Sequence, residues 1–134
     1  MATFHLRNEI VFRAPNRVGL LADVSERLSG YRVNVLAVRG YEEDGTGVIL
    51  VYPDDSRAAA DALEGLEGEV STLPVIVADI PNRPGELAAI ARALSNANIG
   101  VNQVHATSSP ESDRGLVVLE TSNNIAALEV LQKT

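Results

Sequence analysis

The sequence predicts an α+β chain made of two similar units, each an antiparallel sheet with its helices on one face. Three observations carry this. A short stretch occurs twice, as Pro15-Asn16-Arg17-Val18-Gly19-Leu20-Leu21-Ala22 and Pro81-Asn82-Arg83-Pro84-Gly85-Glu86-Leu87-Ala88, 66 residues apart and identical at six of eight positions. Each copy stands where a short apolar run gives way to a pattern of helical period. Around each copy the elements follow one order, strand–helix–strand–strand–helix, which marks a duplicated unit.

In residues 3–14, Phe4, Leu6, Ile10 and Phe12 share one parity, as in an extended chain. Pro15 ends that run, and Asn16 has the side chain of a helix N-cap, able to accept from a free backbone N–H two or three residues on. Leu21, Val24 and Leu28 follow at spacings of three and four, the buried face of a helix that stops at Gly30. Residues 33–38 are too short and too β-branched for a helix and read as a strand. Glu42-Glu43-Asp44-Gly45 is a polar hairpin turn, with Gly45 free to take positive φ. Residues 48–52 return as a strand that is apolar throughout, so it is expected to be central in a sheet or covered on both faces. Asp54-Asp55-Ser56 caps a second helix with Ala59, Leu63 and Leu66 on its buried side, and Gly65 and Gly68 end it. Residues 70–73 form a short extended piece, bounded by Pro74.

The second unit repeats the order. Residues 75–78 are a strand, Pro81 ends it, Asn82 is the cap, and Pro84 suits a first turn that has no partner for the missing N–H. Leu87, Ile90 and Leu94 form the buried face, each 66 positions after Leu21, Val24 and Leu28. Asn98 ends this helix in the left-handed region. Residues 99–107 are a strand. Residues 108–114 make a hairpin loop two residues longer than its counterpart, because Gly47 matches Gly115 at an offset of 68. Residues 116–119 return, and Ser122 or Asn123 caps a last helix with Ala127, Leu128 and Leu131. Two helices on one face of a four-stranded antiparallel sheet make the ferredoxin-like βαββαβ arrangement. The expected domains are residues 1–73 and 74–134. The second lacks its own last strand, and residues 2–7, extra at the N-terminus, are expected to fill that edge.

Composition narrows the function. The core must be aliphatic, since 46% of residues are apolar but only 4% are aromatic. The net charge is −7, divided evenly: the first 66 residues carry 7 Arg against 10 Asp and Glu, the rest 4 Lys and Arg against 8. No basic cluster exists to bind a phosphate backbone, so nucleic acid is not an expected partner. The absence of Cys excludes disulfides, thiol catalysis and Cys-ligated metals or clusters. No apolar run approaches the ~20 residues that span a bilayer, and Arg7, Glu9 and Arg13 do not suit a signal peptide. A cytoplasmic protein with no membrane partner is expected.

Asn-Arg-x-Gly-x-Leu between a strand and a helix, twice, resembles the ACT domain, a small regulatory module that binds amino acids. Residues 17–24 look like the ACT units of nitrogen-status sensor enzymes. Residues 82–87 look like those of amino-acid-regulated biosynthetic enzymes and of free-standing tandem ACT proteins. The resemblance implies a ligand at an interface between ACT units, against the loop joining the first strand and helix. The implied site residues are Asn16, Val18, Gly19 and Leu20 in one corner and Asn82, Pro84, Gly85, Glu86 and Leu87 in the other. Physical chemistry agrees: a helix N-terminus suits a carboxylate, and glycine lets a ligand approach the backbone. Serine-sensing members carry an Asn on the second strand, fifteen residues after the motif Gly. That position is Asn34 in the first unit and Gly100 in the second, where Asn102 stands on the same face. Those members also have a His two residues before the motif Asn, where this chain has Ala14 and Ile80.

Plainer roles stand beside these. Asn16 and Asn82 have helix capping as their commonest role, Gly19 and Gly85 can serve for close packing of helix on sheet, and Asn34 and Asn102 can be solvated strand residues. His5 and His105 have no second His or Cys at metal spacing. Gly45-Thr46-Gly47 lacks the Lys of a phosphate loop, and no Ser, His and Asp set has motif context for nucleophilic catalysis. The expected protein is therefore a non-catalytic regulator without a cofactor. It binds a small amino acid, forms a homodimer and signals to a partner enzyme or regulator. The alternatives are a ligand-free interaction or dimerisation module, and a small enzyme on the same scaffold with Asp79 or His105 as its first candidate groups.

Overall fold

A computed structural model describes residues 1–134. Its elements are β1 (Thr3–Pro15), α1 (Leu20–Gly30), β2 (Val35–Glu43), β3 (Thr46–Pro53), α2 (Ser56–Glu64), β4 (Glu69–Pro81), α3 (Glu86–Asn96), β5 (Val101–Ser108), β6 (Arg114–Thr121) and α4 (Asn124–Gln132). They divide into two compact units. The first is Asn8–Leu73; the second is Pro74–Thr134 together with Met1–Arg7. Strands β1 and β4 therefore each give one end to each unit. The strand order is β2–β3–β1–β4 in the first and β5–β6–β4–β1 in the second, the ferredoxin-like order, with α+β layering. Pairing is antiparallel: Ile10 faces Val51 and Val38 faces Val51 in one unit; Ile76 faces Leu119 and Val104 faces Leu119 in the other.

Local chemistry explains most boundaries. Asp55 accepts from the Ala58 N–H at 3.0 Å and starts α2; Asn123 accepts from the Ala126 N–H at 3.1 Å and starts α4. Gly45 turns the β2–β3 hairpin at φ 84°, and Asn98 leaves α3 through the left-handed region at φ 60°. Gly65 follows α2, and the Arg27 guanidinium lies over it and donates from Nε to the Ala62 carbonyl at 2.7 Å.

Three local expectations are corrected. Asn16 and Asn82 are not helix caps: the cap positions fall three residues later, on Gly19 and Gly85, and no side chain caps either helix. The buried stripe of α1 is Leu20, Val24 and Leu28, and Leu21 is 58% exposed. In α3 the buried pair is Ile90 and Leu94, with Leu87 exposed. Both phases satisfy helical spacing, and the later start selects the first. Finally, Pro74 lies inside β4 rather than bounding a short piece, so residues 69–81 form one strand.

Helices and sheet enclose a core in each unit. In the first, Ile10, Phe12, Ile49 and Val51 pack beneath Leu20, Val24, Leu28 and Leu63. In the second, Ile76, Ala78, Val117 and Leu119 pack beneath Ile90, Leu94, Ala127 and Leu131. Phe12 fills the first core, and its counterpart is the small Ala78. Bulk enters the second core from Phe4, whose carbonyl accepts from Gln132 Nε2 at 3.2 Å. Arg114 anchors the same segment, donating to the Met1 carbonyl at 2.8 Å and to Asp79 Oδ1 at 2.7 Å. Strand β3 is buried from Gly47 to Val51, because Val48 and Leu50 cluster with Val11 on the face away from the helices.

Phe4→Ala is expected to cost about 3 kcal/mol or more of stability, read by urea denaturation, whereas Leu21→Ala stays within about 0.5 kcal/mol. Equal, small losses would remove Phe4 from the core.

Candidate functional site

Each motif copy forms a corner in which the chain leaves a strand and starts a helix over the sheet. The backbone N–H of Asn16 donates to the Gly45 carbonyl at 2.8 Å, and that of Asn82 donates to the Asp113 carbonyl at 2.9 Å. The corner is thus tied to the tip of the β-hairpin beside it. Gly19 then takes φ 91° and Gly85 φ 92°, a left-handed conformation that disfavours any residue with a Cβ. Without a side-chain cap, the first-turn amide groups carry the positive end of the helix dipole.

The corners differ in the space beside them. The first opens onto a cavity of about 680 Å³ between the start of α1 and the ends of β2 and β3. Asn16, Gly19 and Leu20 line it, with Leu21, Val38 and Gly40. Val38 and Gly40 face the helix side of the sheet, since they pair with Val51 and Ile49 of the helix-side core. Gly47 forms the floor: a Cβ there would lie 2.7 Å from Leu20 Cδ2 and 3.1 Å from Asn16 Oδ1. Strand β2 is the edge of this sheet, so the cavity's outer wall has backbone groups that no neighbouring strand takes up.

Charged groups around this cavity are engaged. Arg17 is ion-paired with Asp23. Arg39 donates from Nη2 to Glu9 Oε1 at 3.3 Å; Arg39 pairs with Leu50 in the ladder and so points to the face away from the helices. Glu42 accepts from the Gly45 N–H at 2.6 Å.

The second corner has a cavity of about 230 Å³, lined by Asn82, Glu86 and Leu87. The Asn82 side chain donates from Nδ2 to the Ser109 carbonyl at 3.0 Å and the Ser112 carbonyl at 2.9 Å, which holds the longer hairpin loop against the corner. Glu86 stands at the position of Leu20 and is ion-paired with Arg83 at 2.5 Å. Ala106, in the wall, stands at the position of Gly40.

The other expected residues lie apart. Val18 and Pro84 belong to the two corners but line neither cavity, and Val18 is fully exposed. Asn34 precedes β2 at the end opposite its hairpin; its N–H donates to Asp54 Oδ1 at 2.9 Å. Asn102 lies near the start of β5, with Nδ2 3.5 Å from the Thr121 carbonyl. Within one unit, neither amide meets its corner. Sequence reasoning missed Val38, Gly40 and Gly47; the signal available was the pair of glycines flanking one hairpin. A further hollow of about 670 Å³ lies between residues 1–5 and the helices α3 and α4, and Glu86 of the second corner lines one end of it. No group of three or more His, Asp or Glu could hold a metal ion, and no helix is long and apolar enough to cross a membrane.

No family model and no curated protein sequence matches the chain. Solved structures do. A protein from Bacteroides thetaiotaomicron superposes with a TM-score of 0.87 at 24% identity, over 96% of this chain and 88% of that one. The ligand-free regulatory subunit of aspartate kinase from Thermus thermophilus superposes at 0.65 and 18% identity, over 97% and 95%. The corresponding subunit from Thermus flavus superposes at 0.62 and 18%, over 98% and 95%. At these identities the likeness is one of fold, the ferredoxin-like arrangement described above.

Asn82→Ala is expected to cost about 1 kcal/mol or more, since two loop carbonyls lose their donor. Asn16→Ala is expected to stay within about 0.5 kcal/mol. Urea denaturation of the two variants checks the contrast, and equal losses would contradict the loop-holding role of Asn82.

Proposed function

We propose that this chain is a non-catalytic regulatory protein of the cytoplasm, built of two ACT units, that binds a small amino acid and passes its bound state to a partner. One observation carries the reading: the roughly 680 Å³ cavity beside the first glycine corner, a volume within the ~300–1,000 Å³ of ordinary ligand sites. An amino acid suits it. The uncapped start of α1 attracts a carboxylate, the Asn16 amide oxygen can accept from an ammonium group, and the open edge of β2 offers backbone partners. Fold alone does not decide function, but the aspartate kinase subunits that share it are regulatory by name, and this chain spans nearly their whole length.

The mechanism follows from the cavity's open side. Edge strand β2 exposes Val35, Leu36, Val38 and Tyr41, an apolar strip suited to a second copy of the chain. A ligand at the corner would then touch both copies. It would shift the equilibrium by its differential affinity for the paired state, and a partner enzyme or regulator would read that state. The same strip favours one rival reading, an interaction module that needs no ligand.

A thermal-shift screen of the twenty amino acids separates the two. At a hundredfold excess over Kd, the right amino acid should add about 2.7 kcal/mol of stability, and Leu21→Glu should abolish the shift. A flat response to all twenty, with dimers present throughout, would favour the module.

A further inference from the structure

Resting on that reading of the first corner, we propose that its ligand is an amino acid with a neutral, aliphatic side chain, and that the second corner takes none. Consider first what a ligand's side chain would meet. On the helix side the walls are Leu20, Leu21, Val38 and Ile49. A charged ligand side chain needs an uncommitted counter-charge, because burying an unpaired ion is costly. Of the three charged residues in the lining, Arg17 is ion-paired with Asp23 and Arg39 with Glu9, while Glu42 stands at the hairpin, where it accepts from the Gly45 amide. Arg39 also points to the opposite face of the sheet. A branched aliphatic group needs none of them and gains by leaving water.

The second corner repeats the backbone of the first but not its space. At the position of Gly40, Ala106 places a methyl group in the wall. Glu86, ion-paired with Arg83, replaces the apolar Leu20. Asn82 spends both side-chain protons on the hairpin loop. On the hairpin side, the side that holds the cavity in the first unit, about 230 Å³ remains, below the ~300 Å³ at which ligand cavities begin. The hollow on the other side of Glu86 is walled by residues 1–5 and α4 and has no hairpin strand in its lining. The duplicated motif therefore serves two ends: a receptor in the first unit and a closed structural corner in the second.

Titration calorimetry of the full chain tests this, using leucine, isoleucine, valine, serine, aspartate and lysine. Val38 and its counterpart Val104 make a matched pair of probes. Each lies half-exposed on an edge strand, at 50% and 48%, so Val38→Glu and Val104→Glu both keep the fold, as circular dichroism can verify. The expected result is binding of an aliphatic amino acid at one site per chain, with aspartate and lysine weaker by roughly tenfold or more. Val38→Glu should weaken binding by about the same factor, and Val104→Glu should leave it unchanged.

Tighter binding of serine, aspartate or lysine would overturn the ligand class while leaving an amino-acid receptor in place. Two sites per chain, or equal losses from both variants, would overturn the closed corner. Silence towards all six would overturn the inference, and silence extended to all twenty would overturn the reading beneath it. The selectivity of the unmodified chain decides the ligand class without either variant.

Discussion

A strand that ends at Pro15 must become a helix lying over its own sheet within four residues, and the chain manages this with a left-handed glycine. Gly19 holds φ 91° because nothing at that position has a Cβ to oppose it. The preceding Asn16 is pinned by its backbone N–H to the hairpin tip, so strand, hairpin and helix meet at one rigid point. From there the first turn of α1 is set, Leu20 drops into the core, and Gly47 leaves it room. The cavity beside that turn is what remains between the helix, which must start there, and an edge strand that carries a glycine at position 40.

The two units show how a duplicated backbone diverges through side-chain volume. Phe12 occupies the middle of one core while Ala78 occupies the same place in the other, and the deficit is met by Phe4. Glu86 stands where Leu20 is buried, and it is ion-paired with Arg83. None of these exchanges alters the strand order, because core volume can be supplied from different neighbours if the total is kept. They do alter what is left empty, and emptiness is the property on which ligand binding depends.

Much of this was legible in the residues. The order of elements, the Asp55 and Asn123 caps, the turn at Gly45 and the left-handed exit at Asn98 all follow from local preferences that no distant contact opposes. The helix starts differ from expectation because Asn is the better cap by local chemistry, whereas the corner ties Asn16 to the hairpin by its backbone N–H and Asn82 by backbone and side chain, and leaves the cap position to glycine. Leu20 and Leu21 satisfy helical spacing equally well, so only the true first residue could choose between them. Pro74 reads as a boundary locally, yet it sits within β4. As for the candidate site, the glycine corners were visible, but their unequal cavities were not. That difference depends on Gly40 against Ala106 and on where a two-residue insertion folds back, which are matters of three-dimensional register.

Residues 1–7 share a compact unit with residues 74–134, so that unit has to bring together segments far apart in sequence. Asn8–Leu73 can close upon itself from contacts of modest sequence separation. The other unit must bridge nearly the whole polypeptide, and contacts that distant slow folding through the entropy of loop closure. Phe4 and Leu6 find their apolar partners only when α3 and α4 have packed over the sheet of that unit. An extension fused ahead of Met1 would bear on the C-terminal half of the molecule rather than on the half that follows it in sequence.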